Sequence, residues 1–127
     1  SYVDTPAQRW IDKGLRVAFR FTTSETGVKF ATPKWVKDAG AKGYFHTRAQ
    51  IMENDGRAWE PDFSDPIYLE KLEGFLKAAG QRYDGNPNVD FVEVGTLGVW
   101  GEGHTYASTR LVYPDEVMKK HVDLHLK

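Results

Sequence analysis

The most regular alternation of apolar and polar positions lies in Leu15–Thr22, LRVAFRFT. Val17, Phe19 and Phe21 fall on one face and Ala18, Arg20 and Thr22 on the other, the two-residue period of a β-strand. Arg20 is unusual there, and it implies either an exposed face or a polar interior with a partner. A second strand is predicted at Val89–Thr96, where Glu93 shares a face with Phe91 and Gly95 while Val92 and Val94 fill the other, under helices. An inward carboxylate must be paired or neutral, and Arg20 is its natural partner.

Helical spacing is clearest in Asp65–Tyr83, where Leu69, Leu72, Phe75, Leu76 and Ala79 form one apolar face. Asp65 supplies a cap, Pro66 fits the first turn, and Asp84-Gly85-Asn86-Pro87 stops the helix. Thr5–Lys13 is a predicted helix with Thr5 as cap, Pro6 in its first turn, Gly14 as its stop, and Trp10 and Ile11 on its buried side. Pro114–Lys127 is another, with Val117, His121, Leu124 and His125 near one stripe. Between Thr23 and Ser64 the pattern weakens. Pro33–Ala39 suits a short helix, Gly43–Thr47 a short strand, and Asn54, Asp55 and Gly56 a turn. The stretch as a whole carries His46, Arg48, Trp59, Glu60 and Asp62, a composition that suits a long substrate-facing connection. The order of elements is an α/β alternation, which predicts parallel strands with covering helices.

Composition narrows the partners. The 17 Lys+Arg nearly cancel the 18 Asp+Glu without any block of like charge, so neither nucleic acid nor an anionic membrane surface is an expected partner. No apolar run is long enough to span a bilayer. The absence of cysteine excludes disulfides, thiol nucleophiles and zinc–thiolate sites, and leaves the redox compartment open. A secreted or periplasmic location is the expectation.

Candidate chemistry concentrates in Val89–Tyr106, where a strand breaks into glycines and then into Trp100, Glu102, His104 and Tyr106. A rigid element followed by a Gly-rich polar exit is a common way to present a functional group. Rings beside carboxylates suit sugars, whose C–H faces stack on aromatics while their hydroxyls bond to acids; the same rings also serve to pin loops to the core. Glu102 is the candidate acid, or a loop carboxylate bonding to the amides of its own turn. Glu60 and Asp62 are candidates for sugar hydroxyls or for helix caps. His121 and His125 lie one helical turn apart, but a helix face explains them, and no metal or cofactor is expected.

Three stretches, Asp62–Leu72, Gln81–Pro87 and Phe91–Thr105, together resemble the catalytic domain of bacterial β-galactosidase-like glycoside hydrolases, and the G-x-W-G-E-x-H-T exit also resembles that of β-amylases. The resemblance implies part of a (β/α)8 TIM barrel, with Glu102 as general acid/base at a strand exit. Such a barrel needs about 250 residues. The chain is therefore expected to be a single domain, residues 1–127, forming roughly half of it, with an uncovered sheet that self-associates or meets the remainder of the barrel. The expected function is acid/base hydrolysis of glycosidic bonds in an oligo- or polysaccharide. Glu102 is then catalytic; Arg20, His46, Trp59, Glu93, Trp100, His104 and Tyr106 bind substrate; and the second carboxylate comes from outside the chain, which alone is inactive. The alternative is a non-catalytic carbohydrate-binding or assembly module.

Overall fold

The computed structural model describes residues 3–47, 50–52 and 56–127. Arg48 and the turn residues Asn54 and Asp55 lie outside them. The elements in chain order are α1 (Asp4–Ile11), β1 (Val17–Arg20), α2 (Lys34–Asp38), β2 (Gly43–His46), β3 (Ile51–Met52), β4 (Ala58–Pro61), α3 (Pro66–Tyr83), β5 (Val89–Glu93) and α4 (Asp115–His125), with a short 3-10 turn at Val99–Gly101.

The expected partial barrel of parallel strands is not what forms. Strands β1 and β5 pair in parallel, Phe19 opposite Val92 and Arg20 opposite Glu93. β2, β3 and β4 make a separate antiparallel sheet with β2 in the middle. The reason is the length of the connections. A parallel neighbour needs a crossover of about a dozen residues or more, usually helical, whereas an antiparallel neighbour needs only a turn. Among the described residues the segment between β2 and β4 holds β3 and no helix, and it brings the chain back alongside β2, so Phe45 comes to face Trp59 and Tyr44 to face Glu60. Gly43 makes this approach possible: the Trp59 ring occupies the space where a Cβ at position 43 would sit.

The core belongs to this second sheet. Val36, Ala41, Trp59, Phe63, Tyr68, Leu72, Leu76, Leu97 and Val117 form one buried cluster that joins α2, β4, α3 and α4. Asp65 opens α3 as the sequence requires, its carboxylate accepting from the Tyr68 amide at 2.9 Å. Phe75, expected on the buried face, is half exposed and meets Phe21 edge-on. The parallel pair lies at the periphery. Val92 and Val94 are exposed rather than packed under helices. Helix α1 buries none of its residues; Trp10, expected inward, lies open beneath the Lys13 ammonium. Asp4, with its carboxylate on Arg82 and the Tyr83 hydroxyl, ties α1 to α3.

Candidate functional site

Immediately after β5 the chain folds into a compact strap, residues 95–106. Leu97 and Val99 are buried and root it in the core. Its backbone closes on itself, with the Val99 amide on the His104 carbonyl at 2.8 Å and the Gly103 amide on the Leu97 carbonyl at 3.0 Å. A further bond from the Trp100 amide to the Ser24 carbonyl, 2.9 Å, fastens it to the segment after β1. Trp100 itself takes a left-handed conformation, φ 56°, rare for a residue with a side chain. Such strain persists only where the surroundings enforce it.

Arg20 braces the same strap. Its Nε donates to Glu93 Oε2 at 2.5 Å, Nη2 meets the same carboxylate, and Nη1 donates to the Trp100 carbonyl at 3.1 Å. The Arg20–Glu93 pair suggested by their isolated charges therefore forms. It does so at the surface, with side chains 36% and 42% exposed, and not in a barrel interior. Salt bridges in that setting contribute at most about 1 kcal/mol, so this one matters for position more than for stability.

Glu102 stands at the outer turn of the strap, its side chain half exposed. His104 Nε2 is 3.3 Å from its Oε2. The other ring nitrogen, Nδ1, accepts from the Tyr106 amide at 3.2 Å, which places the imidazole proton on Nε2, facing Glu102. A groove of about 410 Å³ begins beside His104 and runs past Tyr106, Arg110 and Tyr113 to Met118. Tyr106 is largely exposed, with the Arg110 guanidinium 5.0 Å from the centre of its ring. A smaller cavity of about 300 Å³ is lined by Arg20 together with Phe21, Trp35 and Phe75.

The structure thus brings together Arg20, Glu93, Trp100, Glu102, His104 and Tyr106. It puts His46 and Trp59 elsewhere. Trp59 is not in a loop but on β4, 1% exposed and beside Phe30, with no ring face open to a sugar. His46 is equally buried on β2, and among the described residues neither of its ring nitrogens has a hydrogen-bond partner. Asp62 accepts from the amide and hydroxyl of Ser64 and shapes the turn into α3.

A buried polar network was not legible in the sequence. Glu60 is fully buried on β4; Ser24 Oγ and Thr109 Oγ1 each donate to one of its oxygens, both at 2.6 Å. The Tyr68 hydroxyl lies 3.0 Å from both Thr23 Oγ1 and the Thr96 carbonyl. His121 donates from Nε2 to the Phe63 carbonyl at 2.9 Å and accepts from the Thr96 hydroxyl at Nδ1, 2.8 Å. Both of its nitrogens are thereby engaged inside the protein. Among the described residues, no group of three or more His, Asp or Glu could hold a metal ion.

Two of these histidines make the fold sensitive to acid. Burial lowers the pKa of His46 below 6.5, partly opposed by Glu60. Burial also lowers that of His121, with the Phe63 carbonyl opposing and His125 adding to the shift. Both imidazoles stay neutral in the folded protein at pH values where the unfolded chain takes up protons. Their stabilising contribution is complete above pH 6.5 and is lost as pH falls from there through the depressed folded values. The slope is up to about 1.4 kcal/mol per pH unit for each residue. Urea midpoints at pH 7.5 and 5.5 should differ accordingly, and His121→Gln should flatten the dependence. An unchanged midpoint across this interval would contradict the assignment.

No protein-family model matches the chain, no curated protein shows significant similarity to it, and no solved structure matches it significantly.

Proposed function

We propose that the strap at Glu102 is the acid/base element of a site that hydrolyses glycosidic bonds in an oligo- or polysaccharide. The observation that carries this reading is the presentation of Glu102: a half-exposed carboxylate with the His104 N–H beside it, on a strap rooted in the core. Trp100 and Tyr106 on the same strap are exposed, and the groove beside His104 has the volume of a small-molecule site. In this role Glu102 delivers a proton to the leaving glycosidic oxygen, and His104 orients the carboxyl group. The reaction needs a second carboxyl across the bond, to attack the sugar or to activate water. Glu93 is engaged by Arg20 and does not serve as that partner; in this reading the partner carboxylate is supplied from outside this chain, and the chain alone is inactive.

A non-catalytic carbohydrate-binding module is the second reading, favoured by the same two rings and by the engagement of Glu93. Both readings predict that oligosaccharide quenches tryptophan fluorescence and that Trp100→Phe removes most of the quench. A glycan panel with no response would reject carbohydrate altogether. Turnover of aryl glycosides separates the two. The purified chain should show none. Activity that disappears in Glu102→Gln would overturn the inactivity of the isolated chain while placing Glu102 in the chemistry. Activity that survives the substitution would remove Glu102 from its role.

A further inference from the structure

Strands β1 and β5 form a two-stranded parallel sheet, and among the described residues each has a single partner. Parallel sheets are normally covered on both faces and continued at their edges. Here Phe91 is 53% exposed, and Val92 and Val94, pointing to the opposite face, are also open. The accessible surface of the chain is 8053 Å². About 6,800 Å² is expected of a folded monomer of this mass, 14.4 kDa. The excess over the whole chain, roughly 1,200 Å², leaves room for the ~800 Å² that each partner buries in a standard interface.

We infer that β5 is the dimerisation edge of this protein and that its occupant is a second copy of the chain, joined antiparallel about a two-fold axis through Phe91. The packing of α1 beside β1 leaves β5 as the open edge, and charge decides the register. On β5 the charges are Asp90 and Glu93. With the axis on Phe91, Asp90 faces Val92 of the second copy and Glu93 faces Val89, so no like charges meet. Moving the axis to lie between Phe91 and Val92 sets Asp90 against Glu93, which is repulsive. Asp90 is already paired with Arg16 at 2.7 Å, and Glu93 with Arg20, so the joined edge brings no uncompensated carboxylate into the interface. The two Phe91 rings then meet on the axis, and the sheet becomes four-stranded in the order β1, β5, β5, β1. An interface of this kind is isologous and closes at two copies.

The chain has no cysteine, which permits a clean test. Residues directly opposite in an antiparallel pair have Cα atoms about 4.5–5.5 Å apart, within reach of a disulfide. Phe91→Cys should therefore cross-link under mild oxidation at least ten times faster than Val112→Cys, a site that is 95% exposed but off the sheet. Wild-type protein should sediment as a dimer at tens of micromolar, and Phe91→Lys as a folded monomer by circular dichroism. Should Phe91→Lys fail to fold, the two cross-linking rates decide. A monomeric wild type overturns the proposal and assigns the surface to a different polypeptide. Equal cross-linking rates, a dimer indifferent to Phe91→Lys, or an open-ended oligomer overturns it as well.

Discussion

Glu60→Ala is expected to lower the unfolding free energy by about 3–5 kcal/mol, a large part of the stability of a domain this size. The carboxylate is fully enclosed, and each oxygen receives a hydroxyl hydrogen at 2.6 Å. Ser24 and Thr109 are themselves buried, so truncation leaves two hydroxyls with neither their acceptor nor water, each at a cost of about 1–3 kcal/mol. The vacated volume adds to this. Three chain segments that are distant in sequence also lose their common anchor: the loop after β1, strand β4, and the loop before α4. Glu60→Gln keeps one acceptor oxygen and offers an amide to a hydroxyl that can rotate to accept, so its cost should be smaller, about 1–2 kcal/mol. Glu102→Ala is the control, because a half-exposed strap carboxylate should change stability by no more than about 0.5 kcal/mol. Urea denaturation of the three variants measures the series. If Glu60→Ala proved as mild as Glu102→Ala, water would be reaching the network and the three-way anchor would not exist.

How much of this was legible depends on whether the signal was local. Strand β1, helix α3 and strand β5 follow from period, cap and stop signals that sit next to one another in the chain, and Asp65 performs the capping its position implies. Strand β4, Ala58–Pro61, gave no such signal. All four of its residues are buried, so no alternation appears, and Glu60 and Pro61 argue against a strand when taken singly. The antiparallel sheet was masked for a related reason. An alternating order of helices and strands suggests parallel pairing, but the short return from β2 to β4 decides otherwise. Glu60 finds its partners 36 and 49 residues away, at distances no sequence window spans. At the candidate site, the Gly-rich exit and the Arg20–Glu93 pair were readable, because isolated charges and clustered glycines are visible as such. The burial of His46 and Trp59 was not, since a four-residue strand leaves no periodic signal that tells a covered position from an open one.

The second large effect concerns the glycines that hold Glu102 in place. Gly85, Gly98, Gly101 and Gly103 all have positive φ, from 69° to 84°. Alanine at any of them incurs the left-handed penalty of about 1 kcal/mol. They differ in what an added Cβ would meet. At Gly85 there is nothing nearby, and at Gly103 only the flexible end of Met118. At Gly98 the Cβ would run into the backbone of Gly103 and His104, and at Gly101 into the backbone of Gly95. Backbone cannot rotate aside as a side chain can, so the strap must open. Gly98→Ala and Gly101→Ala should therefore cost about 3–4 kcal/mol, against about 1 kcal/mol for Gly85→Ala and Gly103→Ala. Because φ is similar throughout the set, the difference isolates the steric closure of the strap from backbone preference. Where Gly101→Ala still folds, the Gly101–Gly95 contact is broken and the turn that carries Glu102 is displaced. The quench that the proposed saccharide site predicts at Trp100 should then weaken even where the protein remains folded. Four equal costs would mean that the strap yields easily, and a strap that yields easily does not hold Glu102 in a fixed orientation before a ligand arrives.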